Sequence, residues 1–517
     1  MRLLCLPLVL VLSAAGQEKP ADKPDPVKKA RELLDSAAEM VAGVDPKLQV
    51  PALWHLAENY QSFDRKKAIE YYRQAWAGAP TLPPDQMQYF DRRIQAEIVR
   101  SAADVDPELA MEMALQMATP GANESYDQRL FATVKIAQVL IVKREFAKAL
   151  SFLEAMGGKG AYSFLAASAL FAALPPDDPR RQSLFGNAQA AFNLRASRDF
   201  STLLARHWQD LPPNVASAAL SSYLSFVLDR KEEGKGYETI TYATAKGTAS
   251  FNTPQERELF DVMWLVREIE PKRAEEILLK YPALKAGLEA YPKGTRSMQA
   301  EGAFYTFTTT SDQKDARSQA FAEQFRMRAM MAARSEEVMQ MALKDPDRGL
   351  EMVRSIGSPA KQAEVLAVIA RGVGEKDAAK SRGVLAKCME AIGEVKDPGE
   401  RMAPLDAVAE AAGMIHEDKL VEEALGRSLT AADELRKWES EDYAHVPEEF
   451  RVSMQAYRRI VTRAVRVYGT DAEQMLAKIG DPGVNLMARI ALAQALLGRG
   501  PKMWPPYTPL RRRTAKQ

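Results

Sequence analysis

Histidine is the side chain most often asked to move protons near neutral pH, and the chain carries four: His55, His207, His416 and His445. None has a second histidine at the spacing that turns two imidazoles of one helix face toward a zinc ion. HEDKL, beginning at His416, stops short of HExxH. His55 stands beside Leu53 and Leu56 and reads as a packed or helix-surface residue. The glycine cluster GGKGAY at Gly157 lacks the length and the Lys-Ser/Thr ending of a phosphate loop. Neither a GxSxG elbow nor a dinucleotide fingerprint is present. Carboxylates are abundant: KWESEDYAHVPEEF brings Glu439, Glu441, Asp442, Glu448 and Glu449 close together in sequence. A glycosidase needs two carboxylates across a cleft, but a solvated helix face is the plainer reading of such a run. In YRRIVTRAVRVYG, Arg459, Arg463 and Arg466 share a face opposite Val461, Val465 and Tyr468. That is an amphipathic helix with a basic exterior neutralised by neighbouring acids. No residue is therefore assigned a catalytic, cofactor-binding or metal-binding role, and no cofactor is expected.

The elements that would have to position any chemistry are easier to read. DRKKAIEYYRQA at Asp64, DPELAMEMALQM at Asp106, EFAKALSFLEAM at Glu145, EPKRAEEILLKY at Glu270 and DPDRGLEMVRSI at Asp345 align without a gap. Each opens on an acid and places a small residue four later: Ala68, Ala110, Ala149, Ala274 and Gly349. Large apolar residues then recur with a helical period. The small position predicts a close crossing by a neighbouring helix. A second helix type counts from Pro46, Pro359, Pro398 and Pro482. Gln49, Gln362, Arg401 and Asn485 follow three residues on, and Leu56-Ala57, Ile369-Ala370, Val408-Ala409 and Leu492-Ala493 ten and eleven on.

The punctuation agrees. Asp-Pro begins at 25, 45, 106, 178, 345, 397 and 481, joined by Thr253-Pro254 and Ser358-Pro359. The Asp, Ser or Thr oxygen accepts from free amides of a first helical turn, and proline gives up an amide that has no helical partner there. The first-type starts are separated by 42, 39, 125 and 75 residues, close to one, one, three and two periods of about forty. A period of that length holds two helices and two turns. One hairpin cannot hide both apolar faces, so neighbours must stack.

LWHLAENYQSFDRKKAIEYYRQAWAGA, residues 53–79, and IAQVLIVKREFAKALSFLEAMGGKGAY, residues 136–162, resemble tetratricopeptide-type helical hairpins. The period is longer than the usual 34 of that family, and the proline and Ile-Ala markers depart from its consensus. The chain also resembles divergent, uncharacterised helical-repeat proteins exported by bacteria. These resemblances imply an all-α fold, an α-solenoid of stacked antiparallel hairpins of tetratricopeptide-like or HEAT-like type. Some exported cell-wall lyases carry a helical superhelix ahead of a lysozyme-like domain. The Gly- and Gln-containing continuation of that domain's glutamate is missing after Glu439-Ser440.

The first residues, MRLLCLPLVLVLSAAGQEKP, place Arg2 before an apolar run from Leu3 to Leu12. This predicts a signal peptide over 1–16 and export to the periplasm or outside the cell. Cys5 lies inside the run rather than after it, so no lipid-attachment arrangement is expected. Without those residues the formal net charge falls from +1 to 0 and only Cys388 remains, which excludes an intramolecular disulfide. A balanced chain has no global attraction to nucleic acid, and no membrane span is expected after the signal. Cys388, in RGVLAKCMEAIG, reads as a buried apolar thiol.

The remaining organisation expected is a flexible Pro-rich leader over 17–25, a helical-repeat half over 26–228, an irregular connector over 229–255, a second helical-repeat half over 256–500 and a Pro/Arg-rich tail over 501–517. A second irregular stretch lies at 291–313, where the alternation of 303–310 suits a short strand or an ordered loop. These Gly-, Thr- and aromatic-rich stretches read equally as functional loops or as linkers. The Met-rich run over 313–344, with Phe321, Phe325, Met330 and Met331 near one face, reads as core. The function expected is a non-enzymatic scaffold that binds a protein or peptide partner through a long surface. The alternative is an envelope hydrolase or lyase with its site in 229–311.

Overall fold

The computed structural model describes residues 25–81, 90–120, 127–229, 238–244, 247–251, 253–300, 304–309, 334–442, 446 and 448–500. The expected signal segment, nearly all of the leader, the tail, His445 and the Met-rich run as far as 333 lie outside these residues. The chain divides into two compact units, one formed by residues 1–59 together with 330–517, the other by 60–329.

The first unit contains α1 (Pro26–Met40), α2 (Pro46–Tyr60), the described part of α16 (334–344), α17 (Pro346–Met352), α18 (Pro359–Gly374), α19 (Ala378–Gly393), α20 (Pro398–Met414), α21 (Asp418–Asp442), α22 (Val452–Tyr468) and α23 (Pro482–Leu496). Each helix from α18 to α21 packs on the next, α18 also on α20, and α20 also on α22; α22 packs on α23. α23 also packs on α1, from the other end of the sequence.

Every Asp-Pro, Thr-Pro and Ser-Pro pair singled out in the sequence starts a helix. Asp25, Asp106, Asp345, Asp397 and Asp481 each accept from an amide of the first turn that follows. Asp45 and Asp178 do so through Lys47 and Arg180, and Thr253 and Ser358 through Glu256 and Lys361. The second-type pattern also acquires a cause. The polar residue three after the proline reaches back to the backbone before the cap: Gln49 donates to Val44 O (3.0 Å), Gln362 to Ile356 O (2.6 Å), Arg401 to Val395 O (2.7 Å) and Asn485 to Ile479 O (3.2 Å). In each case the side chain satisfies a turn carbonyl held against the core. The paired markers Leu56-Ala57, Ile369-Ala370, Val408-Ala409 and Leu492-Ala493 are at most 1% exposed. Gly349 shows why a small residue is needed in its frame: a Cβ there would lie 2.6 Å from the Cβ of Ala342.

The second unit contains α3 (Arg65–Gly78), α4 (Phe90–Val105), α5 (Pro107–Gln116), α6 (Gln128–Val142), α7 (Phe146–Gly158), α8 (Phe164–Ala173), α9 (Arg180–Leu194), α10 (Asp199–His207), α11 (Pro213–Leu228), α12 (Pro254–Ile269), α13 (Pro271–Lys280), α14 (Ala283–Ala290) and α15 (Thr295–Ala300). From α4 to α12 each helix but α9 packs on its successor, and even-numbered helices also meet one another along the series α4, α6, α8, α10 and α12. Ala68, Ala110, Ala149 and Ala274 are buried.

The described residues are predominantly helical, as an all-α fold requires, with one addition. The two stretches expected to be irregular supply strands β1 (Glu238–Thr244), β2 (Gly247–Phe251) and β3 (Phe304–Thr309). They form one antiparallel sheet in the order β2-β1-β3, with Ile240 opposite Phe251 on one side and Phe307 on the other. The Thr and aromatic residues of these segments favour extended backbone. Phe251 anchors the sheet to α12 by packing against Phe260 (ring centroids 4.8 Å).

Candidate functional site

Polar groups gather in three places, two of them around histidines singled out in the sequence. In the first unit, α2 presents His55 to a buried carboxylate. Its Nε2 lies 2.8 Å from Glu449 Oε1 and its Nδ1 2.9 Å from Glu58 Oε2. Arg458 of α22 donates to both oxygens of Glu449, at 2.9 and 2.8 Å, the bidentate geometry a guanidinium favours. Trp54 stacks on the imidazole with centroids 4.4 Å apart. His55, Glu449 and Arg458 are 2%, 0% and 3% exposed, so none of the three can meet a solute. Burial alone would depress the His55 pKa, but the charge and hydrogen bond of Glu449 together with the hydrogen bond to Glu58 offset it, and the imidazole stands above its ordinary value. Burial would likewise raise Glu449, yet Arg458 and His55 hold it down to about 2. The group is a clasp of alternating charge between segments 394 residues apart in sequence.

The acidic run around it is only partly the solvated face expected. Glu441 is exposed, but Glu439 is 4% exposed and caps α22. Its carboxylate accepts from Val452 N (2.8 Å), Ser453 N (3.1 Å) and Ser453 Oγ (2.5 Å). A carboxylate from the preceding helix thus satisfies the free amides that a local Ser or Asp would otherwise serve. Of the basic face of α22, Arg463 is neutralised as expected, bonding Asp406 at 2.7 and 2.8 Å and reaching Glu410 at 3.0 Å, whereas Arg459 and Arg466 are exposed. Cys388 is fully buried, donates to Ala363 O at 3.1 Å, and burial pushes its thiol up to about 12.

In the second unit, Ser168 of α8, His207 of α10 and Asp210 lie in the order of a nucleophilic triad. Ser168 Oγ is 3.0 Å from His207 Nε2, and Asp210 is 3.8 Å from Nδ1. The chemistry fails on one atom. Nε2 also faces the Ser168 carbonyl oxygen at 3.1 Å, and an oxygen acceptor requires Nε2 to carry the proton. A protonated Nε2 cannot take one from the hydroxyl. Ser168 is 1% exposed within a helix, and burial depresses the His207 pKa.

The third place is α12, inside the 229–311 stretch. Glu258 and Asp261, one turn apart, both act on the Tyr223 phenol, whose pKa is raised chiefly by burial. Each of the two carboxylates is engaged elsewhere. Glu258 is 4% exposed and ion-paired with Arg198. Asp261 Oδ1 accepts from Thr295 N (3.3 Å) and from the Thr295 hydroxyl. No sequence motif marks this cluster; its members come from α9–α10, α11, α12 and α15. His416, the remaining described histidine, is exposed at φ 55 after α20 and joins none of these groups.

Among the described residues no helix is long and apolar enough to cross a membrane. No family model, curated protein or solved structure matches the chain.

Proposed function

We propose that the protein is an exported, non-enzymatic helical-repeat scaffold of the bacterial envelope, an α-solenoid of tetratricopeptide-like or HEAT-like hairpins about forty residues long that binds a protein or peptide partner. One observation carries the reading: the four copies of the second-type helix share the same N-terminal proline and the same side-chain clasp onto a preceding carbonyl. Two of these helices, α18 and α20, pack on each other and on their successors, and repetition of a local device along packed helices is what a stacked array requires. Such arrays bind extended partners along a surface rather than in a single catalytic pocket. Cross-linking in intact cells, followed by identification of what is captured, tests it. A reproducible protein partner supports the scaffold; a cross-linked chain that captures none overturns it.

A hydrolase or lyase site in 229–311 is the second reading, and the Glu258–Asp261 pair is what favours it. Glutamate 258 is buried against Arg198 and aspartate 261 is bound to Thr295, so neither is free to serve as acid or base at an open cleft. The scaffold reading is accordingly preferred.

A further inference from the structure

The small sheet has two outer strands, and they differ. β2 is held on α12, where Phe251 packs against Phe260. β3 pairs with β1 through six consecutive residues, from Phe304 opposite Ala243 to Thr309 opposite Glu238. Among the described residues it has no strand on its other side. Successive residues of an antiparallel strand turn their backbone N–H and C=O to alternate sides. Every second residue of β3 therefore holds its amide and carbonyl away from β1. Such an edge is a template for another strand, and chains that avoid pairing place lysine, proline or a bulge there. β3 reads FYTFTT, without charge or proline, and its register with β1 is unbroken. Its aromatic and β-branched residue types favour extended pairing.

The sequence of this edge also selects what pairs with it. Turned end for end against itself, β3 sets an aromatic residue opposite a threonine at every position. Phe304 meets Thr309, Tyr305 meets Thr308 and Thr306 meets Phe307, and the same three pairs recur across the two-fold. Aromatic residues opposite β-branched ones stabilise a strand pair. The same operation on β2 sets Gly247 opposite Phe251 and Ala249 opposite itself, residues that give a pair little to pack. A strand that complements itself under a two-fold makes a closed contact, with the same surface used by both copies.

We propose that β3 is the pairing edge of a homodimer, in which two copies join their sheets into one antiparallel sheet of order β2-β1-β3-β3-β1-β2. The occupant of the edge is a second copy of this chain. A strand pair of this length is a small interface, so the dimer forms and dissociates with concentration.

The test follows the full chain by sedimentation velocity over about a hundredfold range of concentration, together with two double variants. Tyr305→Lys with Thr308→Lys sets lysine opposite lysine in two pairs across the two-fold. Tyr305→Lys with Thr308→Glu sets lysine opposite glutamate in the same two pairs. Both alter the same positions, opposite Tyr242 and Thr239 of β1, so damage within one copy's sheet falls on both. The parent is expected to dimerise, and the lysine–glutamate variant to dimerise about tenfold or more tightly than the lysine–lysine variant. Hydrogen exchange of the parent gives an independent reading. Amides of 304–309 should gain protection as concentration rises, because the set turned away from β1 becomes paired. The parent measurements decide alone if a variant fails to fold. A parent that stays monomeric, a dimer whose 304–309 amides ignore concentration, or equal dimerisation of the two variants overturns the proposal.

Discussion

Replacing Glu449 by glutamine tests whether the buried clasp holds the α2 segment in place. The change keeps the shape of the side chain and removes the one anion lying between His55 Nε2 and the Arg458 fork, all at 3% exposure or less. Two arguments give the magnitude. Taking one partner from a buried ion pair costs about 3–5 kcal/mol, because the remaining charge is left uncompensated. Independently, a carboxylate held at about 2 rather than 4.5 contributes about 3 kcal/mol of linkage. Hydrogen exchange of α2 amides at increasing urea, read by mass spectrometry, localises the effect. The opening free energy of 46–60 should drop by about 3 kcal/mol or more, while 128–173 stays unchanged. A companion variant with His55, Glu449 and Arg458 all replaced by leucine or methionine should lose much less, since an apolar trio leaves no unpaired charge. A loss below about 1 kcal/mol in Glu449→Gln would refute the reasoning, as would a larger loss in the apolar trio.

The same clasp sets a pH window. The raised pKa of His55 means its contribution is complete below 6.5 and fades as pH climbs through the folded value; that of Glu449 is complete above 4.5 and fades as pH falls toward about 2. Exchange protection of α2 should therefore peak between about 4.5 and 6.5, and a maximum well above neutrality would contradict it. Gly294→Ala should destabilise the α12–α15 junction by about 1–3 kcal/mol, because φ +61 and the Phe260 carbonyl both oppose a side chain; thermal melting and exchange of 295–298 would register it. Gln362→Leu removes the donor to Ile356 O and should cost about 1–2 kcal/mol in urea unfolding of the first unit. Cys388 should resist a thiol-specific disulfide reagent in the native protein and react fully in denaturant, as its pKa near 12 and full burial require.

Local devices were legible in the sequence because each is written within a few residues. An Asp-Pro pair and the next turn are adjacent, so all seven starts could be read directly. The copies of the second helix type held more than was drawn from them. Pro46 falls in the same alignment as Pro359, Pro398 and Pro482, and all four belong to the first unit. The pattern thus grouped an early hairpin with late ones, although the sequence suggested halves divided near 229–255. What stayed hidden depends on distant partners. Nothing beside Leu53 announces that His55 will meet Glu449, and nothing in the acidic run distinguishes the capping Glu439 from the exposed Glu441. The sheet was half visible: alternation in 303–310 suited a strand, but its partner at 238–244 lies some sixty residues earlier.

The seating of α1 on α23 has a consequence for how the chain comes to be made. Leu48 presses so closely on Gly483 that a Cβ there would come within 2.5 Å of it. A polypeptide emerging from the ribosome delivers 26–60 early and 482–496 late. These first two helices must travel with their apolar faces uncovered through the birth of some four hundred residues, whereas 60–329 lies in one contiguous span and is ready sooner. Maturation of the first unit is gated by the arrival of its final helix, and a nascent chain stalled before that point is the form a chaperone would be called on to shield.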